Sequence, residues 1–272
     1  MSEQIERQEH GPITFYRARR TMPGMPATPV GIYVVDGLLI DTGPHVLQDA
    51  FAAALADETI EQIVLTHHHE DHIGGATRAA EMAGTKPWMH PIGQRSAGAP
   101  ERLPFYRRRF WGQPEAVETR PLGAVLETPK HRFDVIHTPG HAADHVVLHE
   151  AERNWLFSGD LYLSDRVGRA FAYEDVGQTI ASIRTVLALP DCELFCQHTG
   201  RHRSHQHQIG KKLDRLLGLR NQAIVHLEEG RSIREITRAL GIADGLNRWI
   251  SGGEWSSEHL VRGLLRDAGR LD

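Results

Sequence analysis

The sequence predicts an α/β body of two packed sheets with helices outside, followed by a helical C-terminal extension. Three observations carry this. Short apolar runs of strand length alternate with helix-length segments over the first two hundred residues. The strands fall into two blocks, each closed by helices, which is the pattern of two layers of sheet covered on their outer faces. From about Ser204 onward the pattern becomes wholly helical. The chain has 272 residues, 40% apolar and 24% charged. That balance buries an ordinary core and suits one large domain with a small appendage. The division expected is a catalytic body over 1–203 and a helical extension over 204–272.

The elements follow in order. Residues 11–20 read as a strand. "VGIYVVDGLLIDTG" reads as a hairpin, with an apolar run at 30–35, a turn at Asp36-Gly37 and a second run at 38–40. Pro44 to Ala56 is Ala-rich and helical, with proline near the helix start. "IEQIVLTH" is a buried strand that ends at a cluster of histidines. A helix over 73–83 stops at Gly84, and "KPWMH" is a short strand. Residues 91–120 are less regular, rich in Pro, Gly and Arg. Short strands follow near 122–127, 132–137, 145–149 and 154–158, then a helix near 175–188 and the strand "ELFCQH". Helices near 204–228, 231–240 and 256–268 complete the chain, the last two joined by "GIADGLNRWISGGEW".

Bulk properties exclude several classes. Net charge is −4 with neutral histidines, so no broad nucleic-acid footprint is expected. No apolar run approaches the ~18 residues of a membrane span. The start, "MSEQIERQEHG", has no apolar segment of the kind a secretory signal needs. Cys192 and Cys196 read as reduced thiols, and a cytoplasmic location is expected. A small-molecule substrate is the expected partner, with a homo-oligomer left open.

One feature of composition stands out: there are 18 histidines. In "HHHEDH", His67, His69, Asp71 and His72 form the pattern H-x-H-x-D-H. His67 and His69, two apart at a strand end, point to the same side in extended chain. Asp71 and His72 follow the turn into the next helix. Two histidines suit one divalent ion and the Asp-His pair a second, with zinc expected and iron or manganese as alternatives. A solvated polar loop is the bland alternative, and His68 fits it. Four ligands hold two ions poorly, so the metal reading requires further ligands at later strand ends. They are present: His141 in "VIHTPGH", Asp160 in "WLFSGD" and His198 in "ELFCQHTG" each cap an apolar strand.

With these residues the chain resembles the metallo-β-lactamase superfamily. The matching motifs are "DTG" at 41–43, "THHHEDHIGG" at 66–75, "TPGH" at 138–141, "SGD" at 158–160 and "HTG" at 198–200, in the family's order. The resemblance implies a four-layer αββα sandwich with two metal ions at one sheet edge. It implies that His67, His69 and His141 hold one ion and that Asp71, His72 and His198 hold the other, with Asp160 bridging. In two respects the chain departs from the family. Gln197-His198-Thr199 stands where Gly-His-Gly is usual, and the class B lactamases lack the bridging aspartate, so antibiotic hydrolysis is not expected.

Such a site generates hydroxide near neutral pH from a bridging water. Asp71 is placed both to ligate and to accept the nucleophile's proton. Asp41 is either a partner of a ligating imidazole or a plain turn residue. His145 is either a supporting residue or an ordinary strand histidine. Tyr162 either offers its hydroxyl to a developing oxyanion or simply packs. "FYRRRFW" at 105–111 either lines an entrance or forms a half-buried helix, and "RHRSHQH" at 201–207 reads as an exposed helix start. The C-terminal helices are expected to fold over the site as in thioesterase-like members. Hydrolysis of a small ester, thioester or lactone leads. Phosphodiester or RNA cleavage, iron-dependent sulfur oxidation and a signal-binding module without turnover are the alternatives. Against RNA, residues 230–272 carry seven arginines and six acids, too balanced for a strong positive field.

Overall fold

The computed structural model describes residues 5–22, 25–245 and 247–271. Contacts gather them into two compact units. The first takes in the described residues of Met1–His137 together with Ala143–Asp160 and Glu193–His202. The second takes in Thr138–Ala142, Leu161–Cys192 and the described residues of Arg203–Asp272.

The first unit is built on two sheets. One runs in chain order through β1 (Glu6–His10), β2 (Ile13–Met22), β3 (Met25–Val35), β4 (Leu38–Ile40), β5 (Gln62–Leu65), β6 (Trp88–Met89) and β7 (Arg120–Pro121). Its first four strands are antiparallel neighbours, and β4 to β7 are parallel. The other sheet uses β8 (Val125–Glu127), β9 (Arg132–His137), β10 (Val146–Glu150) and β11 (Trp155–Phe157). Past β12 (Ala170–Phe171), which lies outside it, this sheet adds β13 (Glu193–Cys196) and β14 (Gly200–His202). Its order is β14-β13-β11-β10-β9-β8, with β11 and β13 parallel.

Alternation along the strands explains the layering. On β3 and β4, Tyr33, Val35, Leu38 and Ile40 join Phe133, Val146, Leu148, Phe157 and Phe195 of the second sheet in one buried cluster. Ile32, Val34 and Leu39 point the other way and pack with residues on and beside α1 (Gln48–Ala54), α2 (Glu70–Ile73) and α3 (Ala76–Ala83). Period-2 alternation with both faces apolar is what a sheet covered on both sides requires. Aromatic rings order the inner layer. Phe15 stacks on Tyr33 at 4.4 Å, and Tyr33 meets Phe157 and Phe195 edge-on at 5.4 and 5.8 Å. The Tyr33 hydroxyl donates to the Cys196 carbonyl at 2.8 Å, satisfying the one polar atom the ring brings inside.

Departures from the sequence expectation have local causes. β1, "ERQEH", was not expected because its composition is charged. It is an edge strand, where exposed charge guards against further pairing. The irregular stretch 91–120 contains two helices, α4 (Gln94–Gly98) and α5 (Phe105–Trp111). The helix expected over 73–83 is α3, which starts at Ala76 after Gly74-Gly75 separate it from the short α2 that ends at Ile73. A Cβ on Gly74 would fall 2.2 Å from the His45 amide nitrogen and 2.5 Å from the Glu70 carbonyl. The backbone passes too closely there for a side chain.

The second unit is largely helical: α6 (Val176–Leu187), α7 (His205–Glu228), α8 (Ile233–Ala239), α9 (Asn247–Ile250) and α10 (Ser257–Asp267), with a ribbon pairing β12 to β15 (Trp255–Ser256). Side-chain caps start the longer helices. Asp175 accepts from the Gln178 amide, Ser204 from His207, and Ser232 forms a reciprocal capping box with Glu235. Ile209, Leu216, Leu219 and Ala223 of α7 form a buried stripe at helical spacing. α7 contacts both α6 and α10, whose Leu260, Val261, Leu264 and Leu265 are also buried. Among the described residues no helix is long and apolar enough to cross a membrane.

Candidate metal centre

Four strand ends of the first unit supply the site. Asp41 follows β4, Thr66 and His67 follow β5, Asp160 follows β11, and His198 follows β13. The strands that carry them are buried on both faces. The polar residues are therefore delivered at the carboxyl ends of strands whose positions the core fixes.

Asp41 is the hub. It is fully buried and takes a left-handed backbone conformation, φ +61, that few residues other than Gly, Asn and Asp adopt readily. Its Oδ1 accepts from the Thr66 amide at 2.8 Å. Its Oδ2 accepts from His72 Nδ1 at 2.8 Å and from Gln197 Nε2 at 2.7 Å. The Thr66 hydroxyl lies 3.0 and 2.9 Å from the two carboxylate oxygens and 3.1 Å from His67 Nδ1. A carboxylate only accepts, so His72 carries its proton on Nδ1, and Thr66 Oγ1, donating to Asp41, accepts from His67 Nδ1. Both imidazoles thereby keep a proton on Nδ1, so that once a ring is neutral Nε2 is the nitrogen left to bind a metal.

The other histidines are fixed similarly. His198 Nδ1 donates to the Pro29 carbonyl at 2.7 Å. His145, buried, accepts from the Asp160 amide at 2.9 Å through Nε2. It thus positions Asp160. Gly159 makes that approach feasible, since with φ +47 a Cβ there would lie 2.6 Å from His145 Nε2. His68, outside the expected ligand set, pairs through Nδ1 with the buried Asp144 at 2.7 Å.

The candidate ligand atoms converge. His67, His72 and Asp160 each offer an atom within 4.8 Å of the others, and so do Asp71, His72 and His198. Asp160 Oδ1 is 3.2 Å from both His72 Nε2 and His198 Nε2, and Asp71 Oδ2 is 3.6 Å from the latter. Nε2 of His67 and Nδ1 of His69 stand 3.1 Å apart. Two ligands about 2.1 Å from a tetrahedral ion are about 3.4 Å from one another, so these spacings are those of a coordination polyhedron. Nε2 of His72 and of His198 are buried and face the same Asp160 carboxylate oxygen without a well-aligned hydrogen bond, an arrangement of converging lone pairs that a cation between them satisfies. Without an ion both rings are held above the ordinary histidine range. Burial opposes the charge, but Asp160 outweighs it in each case, joined by Asp41 and Asp71 at His72 and by Asp71 at His198. The residues fit a divalent cation.

His141 and Tyr162 belong to the second unit. His141 follows β9 by four residues, and its Nδ1 donates to Glu174 Oε1 at 3.1 Å. Tyr162 is buried, and its hydroxyl donates to Gln208 Oε1 at 2.9 Å. Two supporting residues escaped sequence reasoning: Thr66, hidden inside the histidine motif, and Gln197, noted only as a departure. A third lies in "FYRRRFW", the half-buried helix that was one of its two readings. Arg107 of "FYRRRFW" is buried and forks onto Glu70, with Nε 2.7 Å from Oε1 and Nη2 2.5 Å from Oε2. Burial raises the Glu70 carboxyl above its usual range while Arg107 pulls it back. The pair anchors α2 one residue before Asp71.

The Metallo-beta-lactamase superfamily profile matches residues 27–198. A hydroxyacylglutathione hydrolase from Stenotrophomonas maltophilia is 36% identical over 166 residues, 58% of this chain and 57% of that protein. One from Pseudomonas aeruginosa is 32% identical over 162 residues, 59% of this chain and 55% of that protein. The chain thus spans little more than half the length of these relatives. Among solved structures, a metallo-beta-lactamase family protein from Thermus thermophilus superposes with a TM-score of 0.70 at 20% identity, covering 94% of each chain. A beta-lactamase domain protein from Burkholderia ambifaria gives 0.69 at 16%, covering 94% of this chain and 82% of that one. These two share the fold.

Proposed function

The chain belongs to the metallo-beta-lactamase superfamily, and from that premise we propose that it is a metal-dependent hydrolase of a small thioester or ester. The observation that carries the reading is the set of imidazoles locked in the metal-binding tautomer around Asp160, with Asp41 and Thr66 doing the locking. Relatives named hydroxyacylglutathione hydrolase point to an acyl group carried on a thiol. We assign His67, His69 and His141 to one ion, Asp71, His72 and His198 to the other, and Asp160 to both. Zinc suits this nitrogen-rich set, with iron and manganese as alternatives that metal analysis decides.

When bound, the ions supply Lewis acidity and a water acidified to near neutrality. The chain's own groups do the rest. Asp71, half-buried beside His198, takes up the proton that the nucleophile releases. Asp41 keeps the His72 and His67 rings from turning or changing tautomer during turnover. Tyr162, its hydroxyl steadied by Gln208, is assigned as donor to the developing oxyanion. Residues 1–203 carry the ligand set, and the helical extension 204–272 is assigned to substrate discrimination. The reaction is placed in the cytoplasm.

The test is metal quantification after native purification, coupled to a panel of thioesters, lactones and phosphodiesters. The expected result is about two equivalents of metal and turnover fastest on thioesters. The variant His69→Ala is expected to lose at least one equivalent and nearly all turnover. Full activity in that variant, or activity confined to phosphodiesters, would overturn the reading.

A further inference from the structure

The helical unit holds a cavity lined by none of the residues used above. It measures about 390 Å³ and is lined by Asp165, Arg166, Gly168, Arg169, Arg215 and Ile242, with their immediate chain neighbours. Pockets for small ligands begin near ~300 Å³, so the space suits a small molecule or the charged end of a larger one. The lining holds three arginines and one aspartate. Arg169 is pinned: its Nε donates to Asp244 Oδ1 at 3.1 Å and its guanidinium lies 5.1 Å over the Trp255 ring. Asp244 is in turn fixed, accepting from the Ser257 amide at 2.7 Å at the start of α10. Arg166, on the loop before β12, and Arg215, on α7, form no ion pair among the described residues, although ion pairs engage many of the chain's other arginines. One wall is apolar, formed by Ile242 beside Gly168, where a Cβ would lie 3.7 Å from the Ile242 side chain.

We infer that this cavity binds a small phosphorylated molecule through Arg166 and Arg215, with Arg169 as a fixed wall. Two planar forks without carboxylate partners match an oxyanion that offers several oxygens and more than one charge. A lone carboxylate would be satisfied by one fork and leave the other unused. Asp165 sets a limit on charge, since it repels an anion that extends across the lining and so favours a compact one. The site rests on the second unit's own residues and does not depend on the hydrolase assignment.

The probe is inorganic pyrophosphate, titrated calorimetrically into the intact metal-loaded protein at low salt. Saturable binding at one site is expected, weakening as salt is raised. The double variant Arg166→Ala/Arg215→Ala changes two exposed side chains and should fold normally. It is expected to lose affinity roughly tenfold or more, while Arg238→Ala, an arginine of α8 outside the lining, leaves binding unchanged. Asp165→Asn is expected to tighten binding, which a site elsewhere would not show. Absence of saturable binding to the parent protein overturns the inference. So does undiminished binding in the double variant, the result expected if pyrophosphate sat on the metal ions. Equal loss in Arg238→Ala would reduce the effect to general charge and overturn it as well.

Discussion

Replacing Asp41 with Asn isolates what the hub carboxylate does. Asn tolerates the left-handed backbone at φ +61, so the change removes charge and one acceptor without straining the chain. The amide then has two ways to sit. With its oxygen toward His72 and Gln197, its NH2 faces the Thr66 amide, previously bonded to Oδ1 at 2.8 Å. One buried donor is orphaned, at a cost of about 1–3 kcal/mol. With its oxygen toward Thr66, its NH2 faces His72 Nδ1 and Gln197. Gln197 adapts by turning its amide, since its Oε1 has no hydrogen bond among the described residues. His72 adapts only by moving its proton to Nε2, which withdraws the lone pair from the metal. The first arrangement lowers stability and the second lowers metal affinity, by roughly tenfold to a hundredfold for a lost supporting partner. The assay pairs urea denaturation of the metal-free variant with chelator competition for zinc. If Asp41→Asn keeps both the parent's stability and its zinc affinity, the account of the hub is wrong.

Other expectations follow from the same geometry. Arg107→Met leaves Glu70 buried without its partner and should cost about 3–5 kcal/mol in urea denaturation, with the added change Glu70→Gln recovering part of the loss. If the two changes were simply additive, the pair would not be the anchor described. In the metal-free protein the raised His72 and His198 contribute stability that is fully present below the unfolded histidine value, about 6.5. That stability is lost as pH rises through their folded values. The gain in melting temperature on adding zinc, which needs the rings deprotonated, should therefore grow with pH. A gain independent of pH would contradict this. Burial lifts the Cys192 thiol to about 11 and raises Cys196 as well. Iodoacetamide near neutral pH should leave both unmodified in the native protein and alkylate both in urea, as read by intact mass.

Much of this was legible before folding. Strand periods placed β3, β4, β5 and β9 to β11 within a few residues, because a sheet covered on both faces leaves continuous apolar runs. Histidine spacing marked the metal turn, because ligands must leave a strand end on one side. Asp41, left undecided between support and simple turn, is resolved by its contacts with Thr66, His72 and Gln197. His145 is likewise resolved by its bond to the Asp160 amide. "FYRRRFW" gave no sign of which arginine turns inward, since burial of Arg107 depends on Glu70, 37 residues earlier. β1 stayed hidden because an edge strand needs no apolar side.

The sequence by itself determined the main core strands and the residue types that close them, since both depend on spacing within a few turns of chain. Tertiary structure alone decided which ring nitrogen of each histidine faces the ligand atoms. A tautomer is set by its hydrogen-bond partner, and those partners, Asp41 for His72 and the Pro29 carbonyl for His198, come from strands 31 and 169 residues away. No local pattern encodes a bond across that distance; neighbouring strands of one sheet bring Asp41 to His72, and the packing of the two sheets brings Pro29 to His198.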